Sequence, residues 1–179
     1  IQASIGITTV YVTHDQSEAL TMSDRIAVMN EGRMLQVGSP VDVYEAPASH
    51  FIAEFIGDSN LLPATVVSLE GAECEVDLGD GVLVPARMPE GSGVSQGARV
   101  HLLLRPEMMR LLPATKDERP RMEGQIADES YQGALRRYRV RSGAHEVTVE
   151  VPNRPELPPL VQGEPVELYW GTQSGVVVP

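Results

Sequence analysis

Residues 136–151 constrain the chain more than any other stretch. Arg137, Arg139 and Arg141 alternate with Tyr138 and Val140, while Glu146, Thr148 and Glu150 alternate with Val147, Val149 and Val151. Side chains with a period of two fall on opposite faces of a strand, so each run reads as a strand with one charged and one apolar face. Between them stands Gly143-Ala144, and glycine in the first place suits a two-residue type II′ turn. That turn pairs Arg141 with Glu146, Val140 with Val147, Tyr138 with Val149 and Arg137 with Glu150. A slip of one residue would spoil both faces at once, so the register is fixed.

The same texture continues through everything after Asp58-Ser59-Asn60. Strands are predicted at 61–69, 73–78, 82–88, 99–105, 125–130, 135–141, 146–151, 166–170 and 175–178, separated by glycine and proline, with no long helix. In the strand at 99–105, Val100, Leu102 and Leu104 share one face. Gly97-Ala98-Arg99-Val100-His101-Leu102 is echoed by Gly163-Glu164-Pro165-Val166-Glu167-Leu168, both of the form G-x-x-V-x-L. A pair of small Greek-key barrels accounts for the echo.

Residues 1–57 are of another kind. The β-branched run from Thr8 to Val12 predicts a buried strand. Asp15 follows as a helix cap with Glu18 as its capping-box partner, and the helix carries Ala19, Leu20 and Met22. A strand at 25–29 turns at Glu31-Gly32 and returns at 33–37. Ser39-Pro40-Val41-Asp42 opens a second helix, and a third carries Phe51, Ile52, Phe55 and Ile56 before Gly57 stops it. Ile1 is no initiator, and a helix reads as already ending where the sequence opens. The chain is therefore expected to be the C-terminal part of a larger nucleotide-handling protein.

Charge and composition exclude several classes. A formal net charge of -11 repels phosphate backbones and argues against nucleic-acid binding. Cys74 is the only cysteine, which rules out an intrachain disulfide and fits a reducing cytoplasm. No apolar run approaches the ~18 residues of a membrane span, and no signal peptide opens the chain.

His14 is the leading candidate for chemistry. It stands at the carboxyl end of the strand predicted at 8–12, where open α/β sheets place their ligand groups. There an imidazole can donate a hydrogen bond to a phosphoryl oxygen that gains charge during transfer. The competing reading is a histidine that caps the strand end by bonding local backbone. Asp15 either orients water or simply caps its helix. Arg136, Arg137, Arg139 and Arg141 form an anion or docking patch, or a solvated face paired with glutamates. Arg105-Pro106-Glu107 ends an apolar strand and points to a buried or interface ion pair.

The remaining residue types carry less. Met22, Met29, Met34, Met88, Met108, Met109 and Met122 read as core filler, and Trp170 as packing. His50, His101 and His145 read as isolated, with no ligand-like spacing, so no metal site is expected. The G-x-x-x-x-G-K-[ST] phosphate loop is absent, and so is any apolar run ending in paired acids that would hold magnesium.

These motifs resemble a known family. Thr9-Val10-Tyr11-Val12-Thr13-His14-Asp15-Gln16, Glu18-Ala19-Leu20 and Ser23-Asp24-Arg25-Ile26-Ala27-Val28-Met29 are similar to the switch-histidine region of ABC-transporter ATPase subunits. Glu31-Gly32-Arg33, Gln36-Val37-Gly38-Ser39-Pro40, Val43-Tyr44-Glu45-Ala46-Pro47 and Phe51-Ile52-Ala53-Glu54-Phe55-Ile56-Gly57 continue the likeness. The remainder resembles the transport-associated OB (TOBE) domain of importers of sugars, polyamines and iron, and Leu103-Leu104-Arg105-Pro106-Glu107 matches its R-P-E signature. Phe55-Ile56-Gly57-Asp58-Ser59-Asn60 is most like the spermidine/putrescine branch.

The resemblance implies a mostly β chain. Residues 1–57 would be a truncated α/β remnant of a P-loop ATPase domain, and residues 58–179 an OB-like barrel domain of two small barrels. It implies that His14 contacts the γ-phosphate of ATP, bound with Mg2+, across a closed homodimer. It also implies transmembrane permease subunits as partners and a place on the cytoplasmic face of the membrane. The OB domain would take a regulatory ligand or protein. The family's other catalytic motifs lie upstream of this stretch, so the chain alone is expected to lack ATPase activity. Two other classes stand beside this one: a stand-alone regulatory or ligand-sensing OB module, and an OB-type nucleic-acid binder.

Overall fold

The structure is a computed structural model, and it describes residues 6–79, 81–89, 91–113 and 121–179. The helix expected to end at the start of the sequence lies outside the described residues. Three short helices and a hairpin come first: α1 (Gln16–Met22), β1 (Ile26–Asn30), β2 (Arg33–Gly38), α2 (Pro40–Glu45) and α3 (His50–Phe55). Each start has a local cause. Asp15 caps α1 by accepting from the Glu18 amide at 3.1 Å. Glu31 and Gly32 both take positive φ, 49° and 75°, as a type I′ turn requires between Asn30 and its partner Arg33. Ser39 and Asp42 form a complete capping box on α2, with Pro40 in the first turn. Ile26, Val28, Val43, Ile52 and Ile56 close a small core, with Ala19, Leu20 and Tyr44 against it.

Two expectations fail here. The run from Thr8 to Val12 is not a buried strand: it is irregular, and Val10 and Val12 are 88% and 91% exposed. No strand among the described residues runs beside it, and β-branched residues alone cannot make a ladder without a partner. The second half of the α1 capping box is also missing. The Glu18 carboxylate accepts instead from the hydroxyls of Tyr11 (2.8 Å) and Thr13 (2.9 Å), and the Asp15 amide donates to the Thr13 hydroxyl.

The larger part comprises β3 (Asn60–Glu70), β4 (Glu73–Asp77), β5 (Leu83–Arg87), β6 (Arg99–Leu104), β7 (Arg110–Pro113), β8 (Met122–Tyr131), β9 (Leu135–Ser142), β10 (His145–Pro152), β11 (Pro165–Tyr169) and β12 (Gly175–Val178). The β9–β10 register is the one read from the sequence, with Arg141 opposite Glu146, Val140 opposite Val147, Tyr138 opposite Val149 and Arg137 opposite Glu150. The internal echo is real in three dimensions. The Gly97 amide donates to the Val66 carbonyl, and Val66 donates back to Ala98; Gly163 and Glu164 make the same bracket around Ile126. Gly97 and Gly163 share φ values of 81° and 85°, and each facing strand, β3 and β8, has a bulge after the bracketed residue.

One barrel closes, and the other stays an open half-barrel. The closed one has strand order β12-β5-β4-β3-β6, and the five-stranded sheet has β10-β9-β8-β11-β7. The repeats exchange their last strands. After β6, the 3-10 turn Pro106–Met108 sends β7 across to pair with β11 of the second sheet. After β11, the 3-10 turn Thr172–Ser174 sends β12 back to pair with β6 and, in parallel, with β5. Strand β7 was not read from the sequence, because Arg110-Leu111-Leu112-Pro113 is short and does not alternate. The exchange leaves one apolar interior running through both sheets, from Leu62 and Val76 to Val149 and Leu168. Asn60 bolts the sheets together: its side-chain amide donates to the carbonyls of Leu104 and Thr148, and its side-chain oxygen accepts from the Thr148 amide.

Candidate functional site

His14 occupies a bend directly before the α1 cap, and its side chain is exposed. Its neighbours are tied down on both sides. Thr13 donates to Glu18 and accepts from the Asp15 amide, and Asp15 caps the helix. The same carboxylate of Glu18, accepting from Tyr11, raises that phenol above its usual value. The imidazole itself has no hydrogen-bond partner among the described residues, so the local backbone-capping reading of His14 is not what the structure has. Asp15 serves as a cap. The arrangement leaves the His14 imidazole exposed on a braced segment.

A contact the sequence reading missed lies next to it. The side-chain oxygen of Gln16 accepts from the Gly57 amide at 2.7 Å, reaching 41 residues along the chain. Gly57 has φ of 74°, and a Cβ there would come within 2.8 Å of the Tyr44 ring, so glycine is required at this position. A glutamine two positions after His14 carries no sequence signal of so distant a partner.

Gly57 is held from the other side by Arg105, at the end of β6. Arg105 is only 4% exposed. Nη1 donates to the carbonyls of Ala53 (3.2 Å), Gly57 (3.4 Å) and Asp58 (3.0 Å), Nη2 donates to that of Tyr44 (2.8 Å), and the guanidinium lies 4.1 Å from the centre of the Tyr44 ring. The ion pair expected at Arg-Pro-Glu is therefore replaced by a cage of carbonyls. Burial pulls the Arg105 guanidinium below its ordinary value. Glu107 instead accepts from the Tyr44 hydroxyl at 2.7 Å, and burial together with that bond pushes Tyr44 up to about 12. The outer side of β6 joins the same contact: Leu103 is buried with Ala53, Val176 and Val178, whereas only Val100, Leu102 and Leu104 read as a face in the sequence.

The arginine cluster is a paired face, as the blander sequence reading had it. Arg136 pairs with Glu129, Arg137 with Glu150 and Asp58, and Arg139 with Asp128 and Glu146. Arg141 lines an open cleft of about 820 Å³ on the outer side of β8, β9 and β11, together with Glu123, Gln125, Gln162 and Glu167. Two other readings need correction. His50 and His101 are not isolated, since their rings meet edge to face at 4.6 Å across the α3–β6 contact. The methionines are not all filler: Met22, Met29, Met34 and Met108 are exposed, while Met109 and Met122 are buried. Trp170 is buried in the core, as expected. Among the described residues, no group of three or more His, Cys, Asp or Glu could hold a metal ion. None of their helices is long and apolar enough to cross a membrane.

Comparison with known proteins adds the following. Residues 102–178 match the TOBE domain family. A spermidine/putrescine import ATP-binding protein of Rubrobacter xylanophilus is 37% identical over 179 residues, which is 99% of this chain and 47% of that protein. Its counterparts in Acidothermus cellulolyticus and Thermobifida fusca are 41% and 40% identical, over 98% and 100% of this chain and 46% and 47% of theirs. The chain thus spans about half the length of the curated relatives it matches. Among solved structures, the cytoplasmic molybdate-binding protein ModG, with molybdate bound, is similar with a TM-score of 0.59 at 20% identity, over 67% of this chain and 96% of that one. That likeness concerns the fold alone.

Proposed function

Because the chain belongs with the C-terminal region of ABC-importer ATP-binding subunits and carries a TOBE domain over residues 102–178, we propose that it works as that part of an importer ATPase, with polyamines as the transported solute. Residues 1–57 contribute the last part of the ATPase domain, and residues 58–179 form the regulatory and dimer-contacting domain. His14 carries the chemistry. Its imidazole donates to the γ-phosphate of ATP held, with Mg2+, by other parts of a closed dimer, and ATP supplies the phosphoryl group whose transfer to water drives the cycle. The exposed, unengaged ring on a braced segment fits that role. A donor to charge that develops in the transition state is worth roughly 3 kcal/mol of barrier. Two subunits would pair around a two-fold axis and sit against permease subunits on the cytoplasmic face of the membrane. The cleft beside Arg141 gives a small regulatory ligand room on the OB domain.

The observation that carries this reading is the similarity to a polyamine-import ATP-binding protein across 99% of the chain. The test is His14→Ala in the subunit that joins this chain to its nucleotide-binding half. ATP turnover is expected to fall at least about a hundredfold, and solute uptake with it. Undiminished turnover refutes the role of His14. The chain by itself is expected to hydrolyse ATP at no more than the buffer rate.

A further inference from the structure

Two hydrogen bonds meeting at Gly57 form a short path between the OB domain and the His14 segment. Arg105, at the end of barrel strand β6, donates to the Gly57 carbonyl, and the Gly57 amide donates to Gln16, two residues from His14. Both ends of the path are anchored. Arg105 is fixed by three further carbonyls and the Tyr44 ring. Gln16 opens α1, whose preceding cap is braced by Thr13 and Glu18. Gly57 packs against the Tyr44 ring, which sits where a side chain would be. The adjoining residue, Asp58, is gripped a second time by Arg137 of the second sheet. The first OB repeat therefore holds Gly57, which holds Gln16, and the second holds the adjoining Asp58.

We propose that Gln16 is a positioning residue, and that Arg105–Gly57–Gln16 is the relay by which the OB domain sets the placement of His14. The proposal rests on the reading of His14 as the phosphate contact, and it adds a route by which a ligand or partner on residues 58–179 alters turnover. Gln16 bonds Gly57 and acts by keeping the start of α1 in register with it. A carboxylate oxygen can replace the amide oxygen as acceptor, so Gln16→Glu keeps the relay and Gln16→Ala cuts it.

The test has two readouts. In the chain itself, amide hydrogen exchange in Gln16→Ala should quicken about five- to tenfold at Gly57 and at the first turn of α1, the loss expected for one intramolecular hydrogen bond. Exchange in β3 and β6 should stay at the wild-type rate, and Gln16→Glu should restore Gly57. Unchanged protection of Gly57 in Gln16→Ala, or equal loss in both variants, overturns the relay. In the complete subunit, Gln16→Ala should lower kcat severalfold with KM for ATP unchanged, and Gln16→Glu should recover it. Wild-type turnover in Gln16→Ala beside a dead His14→Ala overturns the relay alone. Wild-type turnover in His14→Ala overturns the reading beneath it, and the relay's role in turnover falls with it.

Discussion

Single residues at the junction carry more than their number suggests. Arg105 donates to four backbone carbonyls, of which that of Ala53 also accepts from the Ser59 hydroxyl. Arg105→Met keeps the bulk and removes every donor, so unfolding in urea should show a loss of about 3 kcal/mol, with Arg105→Lys recovering only part because an ammonium cannot span the fork. His101 gives a pH dependence. Burial lowers its value below 6.5, His50 beside it lowers it further, and Glu54 opposes both. A depressed histidine binds fewer protons folded than unfolded, so its contribution is fully present above pH 6.5 and drains away as pH falls through the lowered folded value. Urea midpoints for wild type should drop between pH 7.5 and 5.5, and His101→Gln should drop less. Equal drops in both proteins would rule His101 out as a source.

At the scale of elements, the exchanged strands decide the architecture. Strand β12 supplies both closing pairs of the barrel, antiparallel to β6 and parallel to β5. It also buries Val176 and Val178 against Ala53 of α3. Removing it exposes two strand edges and the seat of α3 together. A chain ending before Gly175 should therefore lose hydrogen-exchange protection along β6 and α3, and its thermal transition should broaden or vanish. A sharp transition near the wild-type midpoint would show that the barrel does not need its last strand. The paired arginines of β9 have less at stake, since half-exposed ion pairs are each worth about 1 kcal/mol or less.

For the molecule as a whole, local signals and distant contacts divide the account. Strand positions, the β9–β10 register, the Ser39 capping box and the Glu31-Gly32 turn were legible because each depends on residues within a few positions of one another. The repeat was legible as six residues because glycine at a positive φ is needed at both places. The buried strand at 8–12 was misread because β-branched composition reports fitness for a sheet without supplying one. His14 stood out in the sequence as the candidate for phosphate contact, but the bond at Gly57 that braces the start of its helix did not, nor did the meeting of His50 with His101 across 51 positions. By itself the sequence determined the β texture, the hairpin register and the candidate histidine, since those follow from side-chain period and backbone φ. Only the tertiary structure decided that the two repeats trade their final strands, that Arg105 is caged by carbonyls instead of paired with an acid, and that the OB domain reaches the His14 segment. Those three rest on groups tens of residues apart, whose partners are chosen by burial and geometry after the chain has folded back on itself.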